Sequence, residues 1–177
     1  MRTPDDLITG VEQVCVVVND LDATIAHYVE HAGIGPWAVY TYDAPDLQNT
    51  KVHGKPVPYG MRLALAWTGS WMWEVIEPIH GPSIYQEFLE EKGEGMHHVL
   101  VSHNCKSLKE AIAEFSRRGC PPAMEGSFKG THFAYIATEG PLQMTLELVQ
   151  RPSTEGYTRP KPDYWYPAPP DLDRSPL

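Results

Sequence analysis

Hydrophobic and polar positions in this chain alternate between a strand-like and a helix-like period, and the same order of elements comes round twice. Residues 11–18 (Val-Glu-Gln-Val-Cys-Val-Val-Val) are rich in β-branched side chains and predict a strand. Leu21, Ile25, Tyr28, Val29 and Ala32 then fall at helical spacing. They predict a helix over 21–31, capped by Asp20 or Asp22 and ended by Gly33. Strands follow at 37–42, 61–68 and 71–77, the last two joined by a tight Gly69-Ser70 turn. Between the first two lies 43–60, with Pro45, Gly54, Pro56 and Pro58, which reads as a loop with a short strand edge near 51–53.

The second round begins after a connector holding a helix over 83–91 with Ser83 as its cap. A strand at 96–103, a helix over 107–118 ended by Gly119, and strands at 123–127, 132–138 and 142–150 complete it. One helix followed by a run of strands favours an α+β fold with a mixed or antiparallel sheet over a doubly wound parallel one. The expected divisions are a βαβββ module at 9–78, a connector at 79–95, a second βαβββ module at 96–152 and an arm at 153–177.

The repetition extends to sequence. Gln13-Val-Cys-Val-Val-Val-Asn19 is echoed by His98-Val-Leu-Val-Ser-His-Asn104, and Trp73-Glu-Val-Ile-Glu-Pro78 by Leu146-Glu-Leu-Val-Gln-Arg-Pro152. A two-fold echo signals a duplicated module and not a solenoid. Each copy supplies a polar residue near its start and an acid near its end. Strand alternation puts Gln13 with Cys15 and Val17, Glu74 with Met72 and Ile76, His98 with Leu100 and Ser102, and Glu147 with Thr145 and Val149.

A carboxylate within a strand of hydrophobes is costly unless paired or bound to metal. Two carboxylates brought together repel, and a divalent cation removes the conflict. One imidazole, two carboxylates and one amide oxygen suit Zn, Co, Ni, Mn or Fe, with positions left for water or substrate. Taken singly, each residue also has an ordinary role: Gln13 facing solvent, His98 as a satisfied polar group, the two acids paired with a base such as Arg62. Placement at equivalent points of a repeat is what joins them into one site.

Composition narrows the partners. A formal charge of −9 argues against nucleic acid and against an anionic membrane surface. No apolar run approaches the roughly 20 residues that span a bilayer, and the first residues lack an apolar signal core, so the expected location is cytoplasmic. Cys15, Cys105 and Cys120 form no C-x-x-C pair and read as structural thiols. Seven prolines in the last 27 residues make the C-terminal arm neither helix nor central strand. Its Tyr164-Trp165-Tyr166 cluster predicts docking on its own domain, on a second subunit or at the mouth of a pocket. Phe133, Tyr135, Trp37, Trp67, Trp71 and Trp73 are spread over the predicted strands. Of the aromatic positions, Tyr135, Phe133 and Trp37, together with His132, are the candidate substrate contacts, with Tyr135 and His132 as proton donors.

Gly93-Glu-Gly-Met-His-His98-Val99 resembles the G-x-G-x-H-H signature that opens the second module of methylmalonyl-CoA epimerases. Trp73–Pro78 resembles their E-L-L-x-P strand end, and Leu146–Gln150 their final ligand strand. The resemblance covers about residues 9 to 152 and places the chain near the vicinal oxygen chelate superfamily, with glyoxalase I, extradiol dioxygenases and bleomycin-resistance proteins. It implies two tandem modules forming a mixed, cup-shaped sheet around a divalent metal held by Gln13, Glu74, His98 and Glu147. That donor order is similar to glyoxalase I; the epimerases have His at the first position.

The resemblance also implies a metal-dependent isomerase, epimerase or lyase acting on a carbonyl-bearing, partly apolar small molecule. Proton removal α to the carbonyl would give an enolate, with Glu147 as base and Glu74 as its partner on the opposite face. A homodimer is expected on the same ground. Two alternatives stand beside it: a binding protein for an aromatic or drug-like ligand, and an Fe(II) ring-cleaving dioxygenase. A complete donor set counts against the first and Gln13 against the second.

Overall fold

The computed structural model describes residues 6–152 and 158–170. The first five residues and the arm residues 153–157 and 171–177 lie outside the described residues. Ten-residue strand β1 (Ile8–Val17) leads into helix α1 (Leu21–Ala32). The Asp20 carboxylate accepts from the Ala23 N–H at 2.9 Å, and Gly33 ends the helix at φ +64°, a backbone that suits glycine. Strands β2 (Trp37–Tyr42), β3 (Leu47–Val52), β4 (Lys55–Pro56), β5 (Gly60–Thr68) and β6 (Trp71–His80) follow. Helix α2 (Ile84–Lys92), capped by Ser83, forms the bridge to the second half.

That half runs β7 (Gly95–His103), α3 (Leu108–Arg117), β8 (Pro122–Phe128), β9 (Thr131–Ile136), the one-turn helix α4 (Glu139–Leu142) and β10 (Thr145–Gln150). A final strand β11 (Tyr164–Tyr166) closes the described chain. Among the described residues the strands form one mixed sheet in the order β11-β2-β5-β6-β1-β7-β10-β9-β8-β3-β4. The two halves meet where β1 pairs antiparallel with β7, while β1–β6 and β7–β10 are parallel. The fold is thus α+β with a curved, unclosed mixed sheet.

The sheet separates three apolar clusters. Val18, Leu21, Ile25, Trp37, Val39 and Val75 pack between α1 and the first half. Val99, Val101, Ala111, Phe115, Leu146 and Leu148 pack between α3 and the second half. The concave side holds Tyr40, Leu63, Leu65, Met72, Leu100, Phe133 and Tyr135, with Tyr85 of α2 packed against them. Alternation along each strand divides these sets, since neighbouring side chains leave on opposite faces.

Residues 43–60 depart from expectation. They carry β3 and β4, and β3 pairs with β8 of the other half, from Leu47 opposite Phe128 to Val52 opposite Met124. The proline-rich composition hid this because the prolines flank or end the strands instead of interrupting β3. Leu47 and Val52 are buried, which anchors the excursion. The final strand also starts later than its apolar run, at Thr145, because residues 139–142 form α4.

Candidate metal centre

Gln13, Glu74, His98 and Glu147 come from β1, β6, β7 and β10, four strands adjacent in the sheet, and all face the concave side. The Gln13 amide donates to Glu74 Oε2. His98 Nε2 lies 3.2 Å from Glu74 Oε2 and 3.5 Å from Glu147 Oε2. His98 is fully buried, and Glu74 and Glu147 are 8% and 6% exposed. Two carboxylates facing one imidazole nitrogen, with little water, leave a charge that something must balance.

Protonated His98 balances it in the metal-free chain. Burial lowers the imidazole pKa, but Glu147 and Glu74 outweigh burial and leave it raised to about 9. Burial, helped by the Glu147 charge and opposed by His98, raises the Glu74 carboxyl above its ordinary value. A divalent cation is the alternative counter-charge, and the donor set fits one. Glu74, Glu147 and the deprotonated Nε2 of His98 would hold it. Gln13 joins when its amide is turned so that oxygen replaces nitrogen, a change the heavy-atom shape barely registers.

Sequence reasoning missed two neighbours. Cys15 was read as structural, yet Cys15, Glu74 and His98 offer donor atoms all within 4.8 Å of one another. The signal was there: Cys15 follows Gln13 by two and shares its face. Burial and then Glu74 push its thiol well above the ordinary range, so it is protonated in the metal-free chain. His97 is the second. Its Nδ1 lies 2.9 Å from Nδ1 of His98. Burial and the neighbouring His98 lower its pKa to about 2, so His97 is neutral and accepts the His98 Nδ1–H. That bond turns His98 Nε2 toward the acids.

A cavity of about 70 Å³ opens beside this cluster, lined by Gln13, Glu74, Glu147, Tyr40, Phe133 and Tyr135, among others. Tyr135 accepts a 2.7 Å hydrogen bond from the Tyr85 hydroxyl and sets its ring edgewise to His98. Two candidate contacts lie elsewhere. Trp37 is fully buried on the opposite face, against Tyr28 of α1, with its indole N–H donating to the Ile34 carbonyl at 2.8 Å. Alternation sends Tyr40 and Tyr42 into the cup in its place. His132 is exposed and points away, because the neighbouring Thr131 and Phe133 take the inward positions. Arg62 serves neither acid: it pairs with Glu77 at 3.1 Å and Asp22 at 2.9 Å.

The chain is a curved mixed sheet with a buried acid–imidazole cluster in its hollow. The chain belongs to the Glyoxalase/Bleomycin resistance protein/Dioxygenase superfamily, whose model matches residues 12–138. Among solved structures it is similar to methylmalonyl-CoA epimerase from Mycobacterium tuberculosis, at 16% identity and a TM-score of 0.57, covering 85% of this chain and 93% of that one. It is also similar to a hypothetical protein from Bacillus halodurans, at 17% identity and a TM-score of 0.56 over 81% and 94% of the two chains. A variant Streptomyces coelicolor methylmalonyl-CoA epimerase, in complex with 2-nitronate-propionyl-CoA, is similar at 21% identity and a TM-score of 0.56, over 82% and 96%. No curated protein matches the chain. These likenesses show the fold. Among the described residues no helix is long and apolar enough to cross a membrane.

Proposed function

We propose that this protein is a metal-dependent isomerase, epimerase or lyase that moves a proton α to a carbonyl group. The observation that carries the reading is the convergence of Gln13, Glu74, His98 and Glu147 beside a small cavity. A divalent cation bound there supplies Lewis acidity to the substrate carbonyl. Glu147 Oε2 takes the α-proton, and Glu74, from the strand three places away, returns it or holds the opposite face. His97 fixes the His98 ring, and Tyr135 and Phe133 shield the reacting carbon from bulk water. Cytoplasmic residence and a homodimer belong to the same reading.

The test is elemental analysis of the protein as purified, followed by solvent deuterium exchange across acyl-CoA, hemithioacetal and cyclic ketone compounds. About one divalent ion per chain is expected, with exchange lost in Glu147→Gln. A metal-free protein, or exchange that survives that substitution, would overturn the assignment.

A further inference from the structure

The C-terminal arm brings positive charge to the same cavity. Arg151, just past β10, and Arg159, just before β11, both line it alongside Gln13, Glu74 and Glu147. Their positions follow from the path of the chain. β10 and β11 are separated in the sheet by five strands, β2, β5, β6, β1 and β7. Arg159 and Pro160, ahead of β11, lie on the concave side. β11 fastens its far end to β2, with the Asp163 N–H donating to the Val39 carbonyl at 2.8 Å.

Arg159 is held but not neutralised. Its guanidinium carbon sits 5.0 Å from the centre of the Trp67 ring, a cation–π contact that holds the group without occupying its N–H donors, and the residue is exposed. Among the described residues it has no hydrogen-bond acceptor and no carboxylate within 4 Å. Glu74 and Glu147 already face His98, so balancing them does not explain it. Arg151 is engaged by Glu12 only at 3.8 Å and is 37% exposed. A guanidinium held over an indole ring with free donors, in an otherwise acidic protein, is a site for an oxyanion, carboxylate or phosphate, which it meets with paired hydrogen bonds.

We infer that Arg159, assisted by Arg151, forms an anion subsite, and that the substrate is a carbonyl compound carrying a carboxylate or phosphate at the end remote from the reacting carbon. This deepens the carbonyl chemistry proposed above and rests on it for the orientation of the substrate. The part of the arm at Arg159 then belongs to the binding site and supplies the group that selects charge.

The test compares matched probes that differ only in charge. Levulinate is set against methyl levulinate, and dihydroxyacetone phosphate against dihydroxyacetone. Binding to the full-length, metal-loaded protein is read by ligand-observed NMR titration. At least one charged probe should bind about tenfold tighter than its neutral partner, the value of one charge-assisted contact. The pair that discriminates identifies carboxylate or phosphate. Arg159→Gln should reduce the preference to within about twofold, while Arg159→Lys keeps part of it and Lys161→Gln, a charge change on the exposed arm outside the cavity, leaves it intact. An unchanged thermal midpoint in Arg159→Gln separates loss of binding from loss of fold. Equal binding within both pairs, or a preference that survives Arg159→Gln, would overturn the subsite. Arg159-dependent preference in a protein that elemental analysis finds metal-free as purified would retain the subsite and remove the metal chemistry.

Discussion

His98 is the residue whose charge balances the buried acids in the metal-free chain. Its imidazole rises from 6.5 to about 9 when no cation is present, against the pull of burial and because of Glu147 and Glu74. A group held above its unfolded value stabilises the fold fully below about pH 6.5 and loses that contribution as pH rises through about 9. Protein stripped by chelator should therefore unfold at progressively lower urea concentration from pH 6.5 to 9. Metal-loaded protein should show no such decline, since a cation takes the deprotonated ring. A urea midpoint in the stripped protein that is flat across this window would remove the His98–carboxylate balance. His98→Ala should lose bound metal and cost about 3–5 kcal/mol in urea unfolding, because it leaves acids buried without a partner. That His98 and Glu147 share one face of the sheet was readable from the alternation of their strands. Trp37 is not a cavity contact because alternation in β2 gives the inward positions to Ala38, Tyr40 and Tyr42 and leaves Trp37 facing α1.

At the scale of elements, helices and their ends were the most legible. Asp20, Ser83 and Ser107 each accept from the N–H three residues on, a short-range bond that sequence spacing specifies. Only the end of β3, near 51–52, was legible; its length and its pairing with β8, more than 70 residues away, are encoded by nothing local. The packing it completes is tight. A Cβ added to Gly126 would stand 2.5 Å from Phe133 Cζ and 2.8 Å from the Tyr59 hydroxyl. Gly126→Ala should cost about 1–3 kcal/mol in urea unfolding and shift Phe133 toward the cavity, slowing any turnover. A neutral effect would mean that β8 and β9 yield more readily than their register implies. Another element depends on a clasp: the Tyr164 hydroxyl bonds Asp22, and Arg62 reaches both, tying β11 to α1 and β5. Tyr164→Phe should speed amide hydrogen exchange at 163–166 without moving the thermal midpoint appreciably. Unaltered exchange would place the anchor in the β2 pairing alone.

For the whole molecule, the two halves are bound more closely than a tandem array of modules. β1 and β7 join them through the centre, β3 crosses to β8, and Tyr42 of β2 stacks on Phe128 of β8 with ring centres 3.6 Å apart. One cooperative unfolding transition is expected, with tryptophan fluorescence and circular dichroism coinciding. Two separate transitions would show that the halves are independent. The echo in sequence suggests two halves, and the exchange of strands between them depends on contacts that only the assembled cup creates.

The ribbon of strands has two ends, and both are stoppered. At one, β4 is two residues long and finishes in a proline, which has no N–H to offer a newcomer. At the other, β11 covers β2, the apolar run Trp-Ala-Val-Tyr-Thr-Tyr, and proline follows it at 167. A chain cut short before Thr158 would bare that run as a template for its own copies. Such a fragment should grow into polymers visible by light scattering while the intact protein stays dispersed, so the arm that receives substrate charge also guards against fibres.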